Sequence, residues 1–181
     1  MELVYPSAEY LQSYREAIAE YRASGETHYA FRDPDSYDIF EYFEKFRSGV
    51  GLKPGYVRAT YLWLVDGGEF LGEISIRHSL TEQLLRYGGN IGYGVRRSRW
   101  RKGAGTRMLA LALDYARDEL GMERALITCD DDNVGSARVI EKNGGVLWYR
   151  LENCVDGRPI TTRRYWIDIK RRGECHEGTP C

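Results

Sequence analysis

The chain has 181 residues, a net charge of −1 and an apolar content of 43%. This length suits one domain with a sizeable core, and the near-neutral charge argues against a generally basic nucleic-acid-binding surface. No apolar run approaches a membrane span, and the first ten residues lack a signal-peptide pattern, so we expect a cytoplasmic protein without membrane partners. The four cysteines, at positions 129, 154, 175 and 181, form neither a close metal-type pair nor a disulfide framework.

The first half of the chain predicts two helices followed by strands. Apolar residues at helical spacing predict a helix over 7–22, with Ser7 as its N-cap and Gly25 beyond its end. A second helix is expected over 35–47. Runs rich in β-branched and aromatic residues predict three strands, at residues 56–65, 70–78 and 90–95. These strands are linked by a tight turn at 66–68 and by a connector over 79–89 with room for a helical turn.

The second half alternates helices with strands. One helix is predicted over 104–120, with Gly121 ending it, and another from Asn133 to 143–144. Three strands are predicted, at 124–129, 146–150 and 163–169. Hairpin-like links before residue 95 and helical links after it predict one α/β domain over residues 1–170. We expect a mixed, mostly antiparallel sheet of six or seven strands flanked by about four helices.

No metal site is expected from the sequence. The polar tail at 171–181 is expected to be disordered, although Cys175, His176 and Cys181 within it could bind a metal. The run DDDN at 130–133 lacks the rest of an EF-hand loop, so helix capping is the favoured interpretation. Cys129 lies in an apolar strand and is interpreted as a core residue.

A basic loop precedes the helix over 104–120. Residues 96–107 contain six cations and no acid. The loop leads into Gly103-Ala104-Gly105, where unpaired N–H groups at the helix start would attract an anion and the glycines would let it approach closely. We therefore expect a diphosphate at residues 95–106, with a merely solvated loop or nucleic-acid binding as alternatives.

Three phosphate-binding motifs can be compared with this loop. The P-loop requires a lysine after its second glycine, and none follows Gly105. The dinucleotide fingerprint requires a third glycine where this chain has Met108. The spacing Gly103-x-Gly105 between a strand and a helix fits the third motif, the acetyl-CoA loop R/Q-x-x-G-x-G/A.

Residues 91–150 resemble the GNAT superfamily of acyl-CoA-dependent N-acyltransferases. The matching blocks are GYGVRRSRWRKGAGTRMLALAL and LITCDDDNVGSARVIEKNGGV. The segments IRHSL, GGNIGYGV and RRYWIDI are similar to a bacterial group of predicted acetyltransferases. The resemblance implies acetyl-CoA or another short acyl-CoA as co-substrate, without a metal. It also implies cofactor-binding residues at Val95, Arg96, Arg101, Lys102, Gly103, Ala104, Gly105, Thr106, Asn133 and Ser136.

The chain departs from this resemblance at three places. Trp100 stands where the family has arginine or glutamine, so the backbone amides are expected to carry most of the binding. Ile140 occupies the position of the tyrosine that is the general acid in many members. Gly89 and Asn90 stand where strand 4 of the family often carries a glutamate. Any side-chain base must therefore come from elsewhere.

Three residues are candidates for proton transfer. Glu73 and His78 share one predicted strand, where alternation puts them on opposite faces, so at most one should face the acceptor. His78 is the favoured general base, because the ordinary pKa of histidine suits that role. The alternative interpretations are that His78 is a structural histidine and that Glu73 is an ion-pair partner. Tyr93 either lines the acyl pocket, donates a proton or packs in the core.

The expected activity is transfer of an acetyl or short acyl group to a primary amine by direct attack. Residues 1–50 contain ten acids against five bases, and an acidic, tyrosine-rich acceptor side would suit a cationic amine. The acceptor, a small molecule or a peptide, is not identified. A CoA-binding module without catalysis and a nucleic-acid-binding protein are the alternatives, and a homodimer is left open.

Overall fold

The computed structural model describes residues 1–25, 31–155 and 158–169. These residues form seven strands, β1 (Glu2–Val4), β2 (Ala59–Asp66), β3 (Glu69–Arg77), β4 (Ile91–Val95), β5 (Arg124–Asp130), β6 (Val146–Val155) and β7 (Arg158–Asp168). They also form four α-helices, α1 (Leu11–Ser24), α2 (Ile39–Ser48), α3 (Ala104–Asp118) and α4 (Val134–Lys142).

All seven strands belong to one sheet, in the order β1-β2-β3-β4-β5-β7-β6. Every neighbouring pair is antiparallel except β4 and β5, which are parallel. This confirms the predicted mixed, mostly antiparallel sheet. The sequence analysis missed β1, because three residues are too few to show alternation.

The helix boundaries follow local capping. Ser7 is wrong as a side-chain cap: a 3₁₀ turn at Ala8–Tyr10 precedes α1, and the buried Ser7 hydroxyl has no partner among the described residues. Gly25 ends α1 as predicted, with φ 69°. Helix α2 begins after Asp38, later than expected, because that carboxylate accepts two N–H groups of the first turn.

Each face of the sheet has its own core. Helices α3 and α4 cover one face with residues such as Met108, Leu109 and Ile140, all fully buried. Helices α1 and α2 cover the other face, where Tyr14 of α1 stacks on Trp63 of β2 with ring centres 4.6 Å apart. Burying a side chain of this size stabilises the fold by ~1.5–3 kcal/mol.

The connector between β3 and β4 contains one π-helical turn at Leu84–Gly88. Side chains from three strands donate hydrogen bonds to backbone carbonyl groups of this connector. Arg164 of β7 donates to Leu85, and Thr128 of β5 donates to Tyr87. Arg77 of β3 donates to Gly88 and Gly89. The turn is therefore fixed on the α1/α2 face of the sheet.

Across the ranges given above, none of the helices has the length and apolarity that a membrane span requires. In the same ranges, no group of histidine, cysteine and acidic residues is arranged to hold a metal ion. The predicted tail at 171–181, with Cys175, His176 and Cys181, lies outside the described residues, so its disorder stays a prediction.

Candidate functional site

The sheet opens between its two parallel strands. Strands β4 and β5 share one registered pair, Ile91 with Ile127, whereas β3 and β4 remain paired from Ile91 through Val95. Beyond Ile91, β4 therefore separates from β5. We call this opening, bordered by residues 92–95 of β4, the gap.

Backbone groups of β4 point into the gap. Arg77 donates its N–H to the Asn90 carbonyl, and Arg96 donates its N–H to the Leu71 carbonyl. Hydrogen-bonding direction alternates along a strand, so the even-numbered residues of β4 bond to β3. The N–H groups of Tyr93 and Val95 consequently point toward the gap.

The start of α3 lies directly after β4 and has the geometry of an anion site. Gly103, at the N-cap, has φ 84°, a left-handed conformation that a residue with a Cβ adopts at a cost. The first helical bond runs from the Arg107 N–H to the Gly103 carbonyl. The N–H groups of Ala104, Gly105 and Thr106 precede it, so they can bind an anion.

Part of the basic run holds the loop in place instead of facing a ligand. The Arg96 side chain is only 9% exposed and lies against three acids, Glu16, Glu20 and Glu69, at 3.3, 2.7 and 3.1 Å. Its N–H is also bonded, to Leu71. Arg96 thus ties the end of β4 to α1 and β3, and its expected contact with a cofactor stays a prediction.

The next cations of the run are also engaged. Arg99 pairs with Glu69, and the Arg97 guanidinium lies 4.2 Å from the centre of the Trp100 ring. The Lys102 side-chain Nζ donates to the Ser98 carbonyl at 2.9 Å. Arg101 is exposed and has φ 60°, which turns the chain sharply before α3.

Glu20 of α1 fixes the same loop. It accepts the Arg96 Nε–H and the backbone N–H of Ser98, at 2.7 and 2.9 Å. Burial alone would raise the pKa of Glu20, but these donors hold it below its ordinary value. The acids of the first 50 residues, interpreted from the sequence as an acceptor surface, therefore serve in part to fix the basic loop.

Trp100 has a structural contact that the sequence did not indicate. Its indole Nε1–H donates to the Val95 carbonyl at 2.7 Å, and the Tyr21 hydroxyl donates to the same oxygen at 2.6 Å. The carbonyl that ends β4 is thereby held by two side chains. Charged Arg99 and Arg101 flank Trp100 but do not replace this contact.

Gly105 lies where α3 packs closely against α4 and β4. A Cβ at this position would lie 3.3 Å from Val139 of α4 and 3.4 Å from Val95 of β4. The side chain of a larger residue would thus point at these two valines. The small residue lets α3 approach the gap closely, with its N–H groups turned toward a ligand.

The first turn of α4 lies across the gap. Asn133 caps α4, accepting the Ser136 N–H at 2.9 Å. The Tyr93 hydroxyl reaches over from β4 to the Ser136 hydroxyl, 2.8 Å away. Asp131, in the run considered for Ca²⁺, accepts from Arg150 and Arg163.

Tyr93 and Cys129 are neutral groups at neutral pH. Burial raises the pKa of the Tyr93 hydroxyl, although its bond with Ser136 opposes the shift. Burial also raises the pKa of the Cys129 thiol to about 11. Tyr93 can donate a proton in the gap, while Cys129 is inert, as its core position predicts.

Glu73 lies on the α1/α2 face and is fully buried. Its carboxylate accepts from Arg32 at 2.9 Å and from the Trp63 indole at 3.0 Å. It pairs across strands with Gly94, which presents no side chain between the carboxylate and the gap. Glu73 is thus both an ion-pair partner and the acid beside the gap on this face.

His78 lies on the opposite face, as alternation predicts. Its Nε2 is 2.9 Å from the Thr60 hydroxyl of β2. Burial, with a smaller effect from Arg58, lowers the pKa of His78 below its ordinary 6.5. Since β2 and β4 lie on opposite sides of β3, the ring turns away from the gap, and the structure does not bring His78 together with Tyr93.

A cavity of about 430 Å³ opens on the α1/α2 face. It lies between α2, strands β2 and β3, and the π-helical turn. Five aromatic residues and two arginines are among the residues that line it: Tyr42, Phe46, Tyr56, Tyr61, Tyr87, Arg32 and Arg77. We call it the aromatic cavity.

Sequence reasoning missed Glu20, Tyr21 and Arg32 at this site. Glu16 and Glu20, four residues apart in α1, form one acidic face, and a basic run elsewhere in the chain is its natural partner. That charge complementarity could have indicated the contact. Tyr21 and Arg32 carry no local pattern that distinguishes them.

Residues 10–146 match the family described as "Acetyltransferase (GNAT) domain". No curated protein sequence matches this chain significantly. Solved structures with the same fold include the microcin C7 self-immunity acetyltransferase MccE in complex with acetyl-CoA and AMP. It is 19% identical, covers 92% of this chain and 91% of its own, and has a TM-score of 0.70.

Two further similar structures are of bacterial acetyltransferases. The ribosomal-protein-S5-alanine acetyltransferase from Vibrio fischeri is 15% identical, with 92% of each chain covered and a TM-score of 0.69. YncA from Salmonella typhimurium, a structure with its cofactor acetyl-CoA, is 14% identical, with 94% of this chain and 95% of its own covered and a TM-score of 0.63. At these identities, the likeness establishes the fold.

Proposed function

Because the chain belongs to the GNAT acetyltransferase family, we propose that it moves an acetyl or other short acyl group from acyl-CoA to a primary amine by direct attack. One observation carries this proposal: the gap leads directly to the unpaired N–H groups at the start of α3. An elongated ligand with a thioester at one end and a diphosphate at the other fits that arrangement.

The residues present fit an acyl-CoA. The N–H groups of Lys102 to Thr106 would bind the diphosphate, with Arg101 adding charge at the exposed turn. The N–H groups of Tyr93 and Val95 would face the part of the ligand between its thioester and its diphosphate, which would lie along β4. Asn133 and Ser136 border the gap from α4. The bound ligand supplies the activated acyl group, and the chain supplies position and proton transfer.

The Val95 N–H is the proposed donor to the acyl carbonyl oxygen. A fixed backbone donor of this kind stabilises negative charge that develops on oxygen. Its orientation is supported by the two side chains that hold the Val95 carbonyl. Preorganisation of this strand end is therefore part of the proposed mechanism.

Glu73 is the proposed proton acceptor for the amine. A primary amine with a pKa near ~10 must lose a proton before it attacks. Glu73 lies beside Gly94 on the face with the aromatic cavity, and its carboxylate is the acid of β3 next to the gap. Tyr93 is the proposed donor to the departing thiolate, in place of the tyrosine that Ile140 replaces.

The acceptor is proposed to be an amine on a small molecule or a peptide. The S5-alanine acetyltransferase acts, by its name, on a ribosomal protein, which supports a peptide amine. The aromatic cavity, about 430 Å³ in volume, has room for a small molecule. We further propose a cytoplasmic location, which suits the free thiol of Cys129. A homodimer stays an untested prediction.

Titration of the purified protein with acetyl-CoA tests this function. At 100 times its Kd, acetyl-CoA should raise the free energy of unfolding by ~2.7 kcal/mol. Thiol release in the presence of a panel of amines should follow. Binding without thiol release would favour a CoA-binding module, and no thermal shift at millimolar acyl-CoA would contradict the proposal. A salt-dependent mobility shift of nucleic acid on addition of the protein would favour a nucleic-acid-binding protein.

A further inference from the structure

We propose that two copies of this chain pair antiparallel along their β6 strands, about a two-fold axis at Leu151. Arg150 of each copy then lies opposite Glu152 of the other. The inference goes beyond the proposed function, because it concerns an outer edge of the sheet and not the gap. It gives the homodimer that the sequence left open a surface and a register.

The two outer strands of the described sheet differ in length. Strand β1 has three residues, whereas β6 has ten. A long edge presents a row of backbone N–H and C=O groups that another strand can pair with, and a very short edge does not. Lysine and proline, which often prevent such pairing, are absent from residues 146–155. The one bulge lies between Leu147 and Tyr149, so the strand from Tyr149 onward is regular.

Large apolar side chains are exposed at the start of β6. Val146 is 70% exposed and Trp148 52%, and the two residues beside Trp148, Leu147 and Tyr149, are exposed as well. Such a run on a sheet edge is typical of an interaction surface. In the proposed register, Trp148 lies opposite position 154 of the other copy, so that copy covers part of the run.

The hydrogen-bonding direction of β6 follows from that of β7. Asp131, directly after β5, donates its N–H to the Thr161 carbonyl, so Thr161 bonds toward β5. The next residue of β7 consequently bonds toward β6, where it is registered with Leu151. The backbone groups of Arg150 and Glu152, on either side of Leu151, therefore point away from β7 to the outer edge.

Charge selects the register between the two copies. A two-fold axis at Leu151 pairs the outward-pointing backbone groups of Arg150 with those of Glu152, and the pair occurs twice. An axis one residue earlier would place Arg150 opposite its own copy, and an axis one residue later would do the same with Glu152. Like charges directly opposite each other destabilise a strand pair, whereas opposite charges stabilise it. Both side chains are exposed.

The present contact of Arg150 is compatible with this pairing. Its Nε–H donates to Asp131 at 2.8 Å, and Arg163 donates to the same carboxylate oxygen at 2.6 Å. Two arginines thus share one carboxylate, so the cluster keeps a positive charge. The two Nη atoms of Arg150 carry further N–H donors, which suit the carboxylate of Glu152 from the other copy.

Charge reversal at the edge tests the inference. Sedimentation over a dilution series measures the dissociation constant of the wild-type dimer. Glu152→Arg places only arginines at the paired positions and should raise that constant at least ~10-fold. Arg150→Glu places only glutamates there and should have a similar effect. Glu9→Arg, an exposed charge reversal in the turn before α1, is the matched control and should leave the constant unchanged.

A mixture of the two variants tests the register itself. A heterodimer of Glu152→Arg with Arg150→Glu again contains two pairs of opposite charge. The equimolar mixture should therefore dimerise within ~3-fold of the wild-type constant, although each variant alone does not. A structural defect in either variant would persist in the mixture, and melting curves establish that each is folded.

Three results would overturn the inference. The first is a wild type that stays monomeric at millimolar concentration, which would leave the β6 edge to a different partner such as an extended peptide. The second is a wild-type dimer whose dissociation constant neither charge reversal changes. The third is a mixture of the two variants that dimerises no better than each variant alone.

Discussion

The Trp100 indole donates its Nε1–H to the Val95 carbonyl, 2.7 Å away, across the turn between β4 and α3. Trp100 occupies the position where the resembling family has arginine or glutamine. In this chain, that position contributes to the site by fixing the end of β4. The N–H of the same residue, Val95, is the proposed donor to the acyl oxygen.

Replacing Trp100 with phenylalanine should weaken acetyl-CoA binding by about 3- to 10-fold. The variant retains an aromatic ring next to Arg97 and Tyr21 but loses one hydrogen bond, worth ~0.5–1.5 kcal/mol. Isothermal titration measures the change. Trp148→Phe, on the exposed edge strand, is the matched control, and equal affinities for the two variants would contradict the role of the indole N–H.

Replacing Gly105 with valine should lower the free energy of unfolding by ~1–3 kcal/mol and weaken acetyl-CoA binding more than Trp100→Ala does. The sequence predicted that the glycine lets a diphosphate approach closely, whereas the structure directs a Cβ at this position toward Val139 and Val95. Chemical denaturation of Gly105→Val with and without Val139→Ala measures the crowding. Failure of Val139→Ala to restore any stability would contradict this explanation.

Replacing Glu20 with glutamine should reduce the loss of stability in acid. A carboxyl whose folded pKa is lowered contributes stability above its ordinary value of 4.5, and this contribution is lost as the pH falls through the lower folded value. The wild type should therefore lose more stability below about pH 4.5 than the variant does. Denaturation between pH 3 and 7, with the exposed Glu9→Gln as control, measures the two slopes; parallel slopes would refute the contact.

Replacing Glu73 with glutamine should lower kcat by ~10²-fold or more, whereas His78→Ala should change it less than ~3-fold. The sequence favoured His78, but the structure turns that ring toward β2 and leaves Glu73 beside the gap. A kcat that falls while acetyl-CoA affinity does not separates proton transfer from a general structural effect. Acetyl-CoA affinity should barely change in either variant. A reversed order of the two effects would restore His78 as the base.

Replacing Tyr93 with phenylalanine should lower kcat by ~3- to 10-fold with little change in KM for acetyl-CoA. The departing thiolate needs little help if its thiol pKa is near the ~8.5 of cysteine, so the effect of losing a proton donor is small. Steady-state kinetics with saturating amine measures both constants. Ser136→Ala is the comparison, because it removes the partner of Tyr93 but keeps the phenol. An unchanged kcat in Tyr93→Phe would exclude the donor role.

The sequence predicted the strand–loop–helix around Gly103 because its signals are local. Two glycines, a strand before them and an apolar stripe after them fall within about thirty residues, and the Asn133 cap is equally local. Among the strands, only β1 was not predicted, because three residues are too few to show alternation. Local pattern was therefore sufficient for most helices and strands, whereas the cofactor-binding residues stay a prediction.

Contacts between distant segments could not be predicted in the same way. The Arg96 contacts with α1 join residues 76 to 83 positions apart. Alternation placed Glu73 and His78 on opposite faces, yet it could not tell which of the two side chains would lie beside the gap. The answer depends on where β4 separates from β5, and one chain segment alone does not contain that information.

The gap divides the described sheet into two half-sheets, β1–β4 and β5–β7, which are joined at one end by the pair Ile91–Ile127 and by the hydrogen bonds between Asn90 and Leu126. A ligand lying along β4 would add contacts to both halves where the backbone has few. Amide hydrogens of β5 and β7 should therefore exchange with solvent more slowly when acyl-CoA is bound, although those strands contribute little to its recognition. Ligand occupancy thus governs how far the two halves open independently of each other.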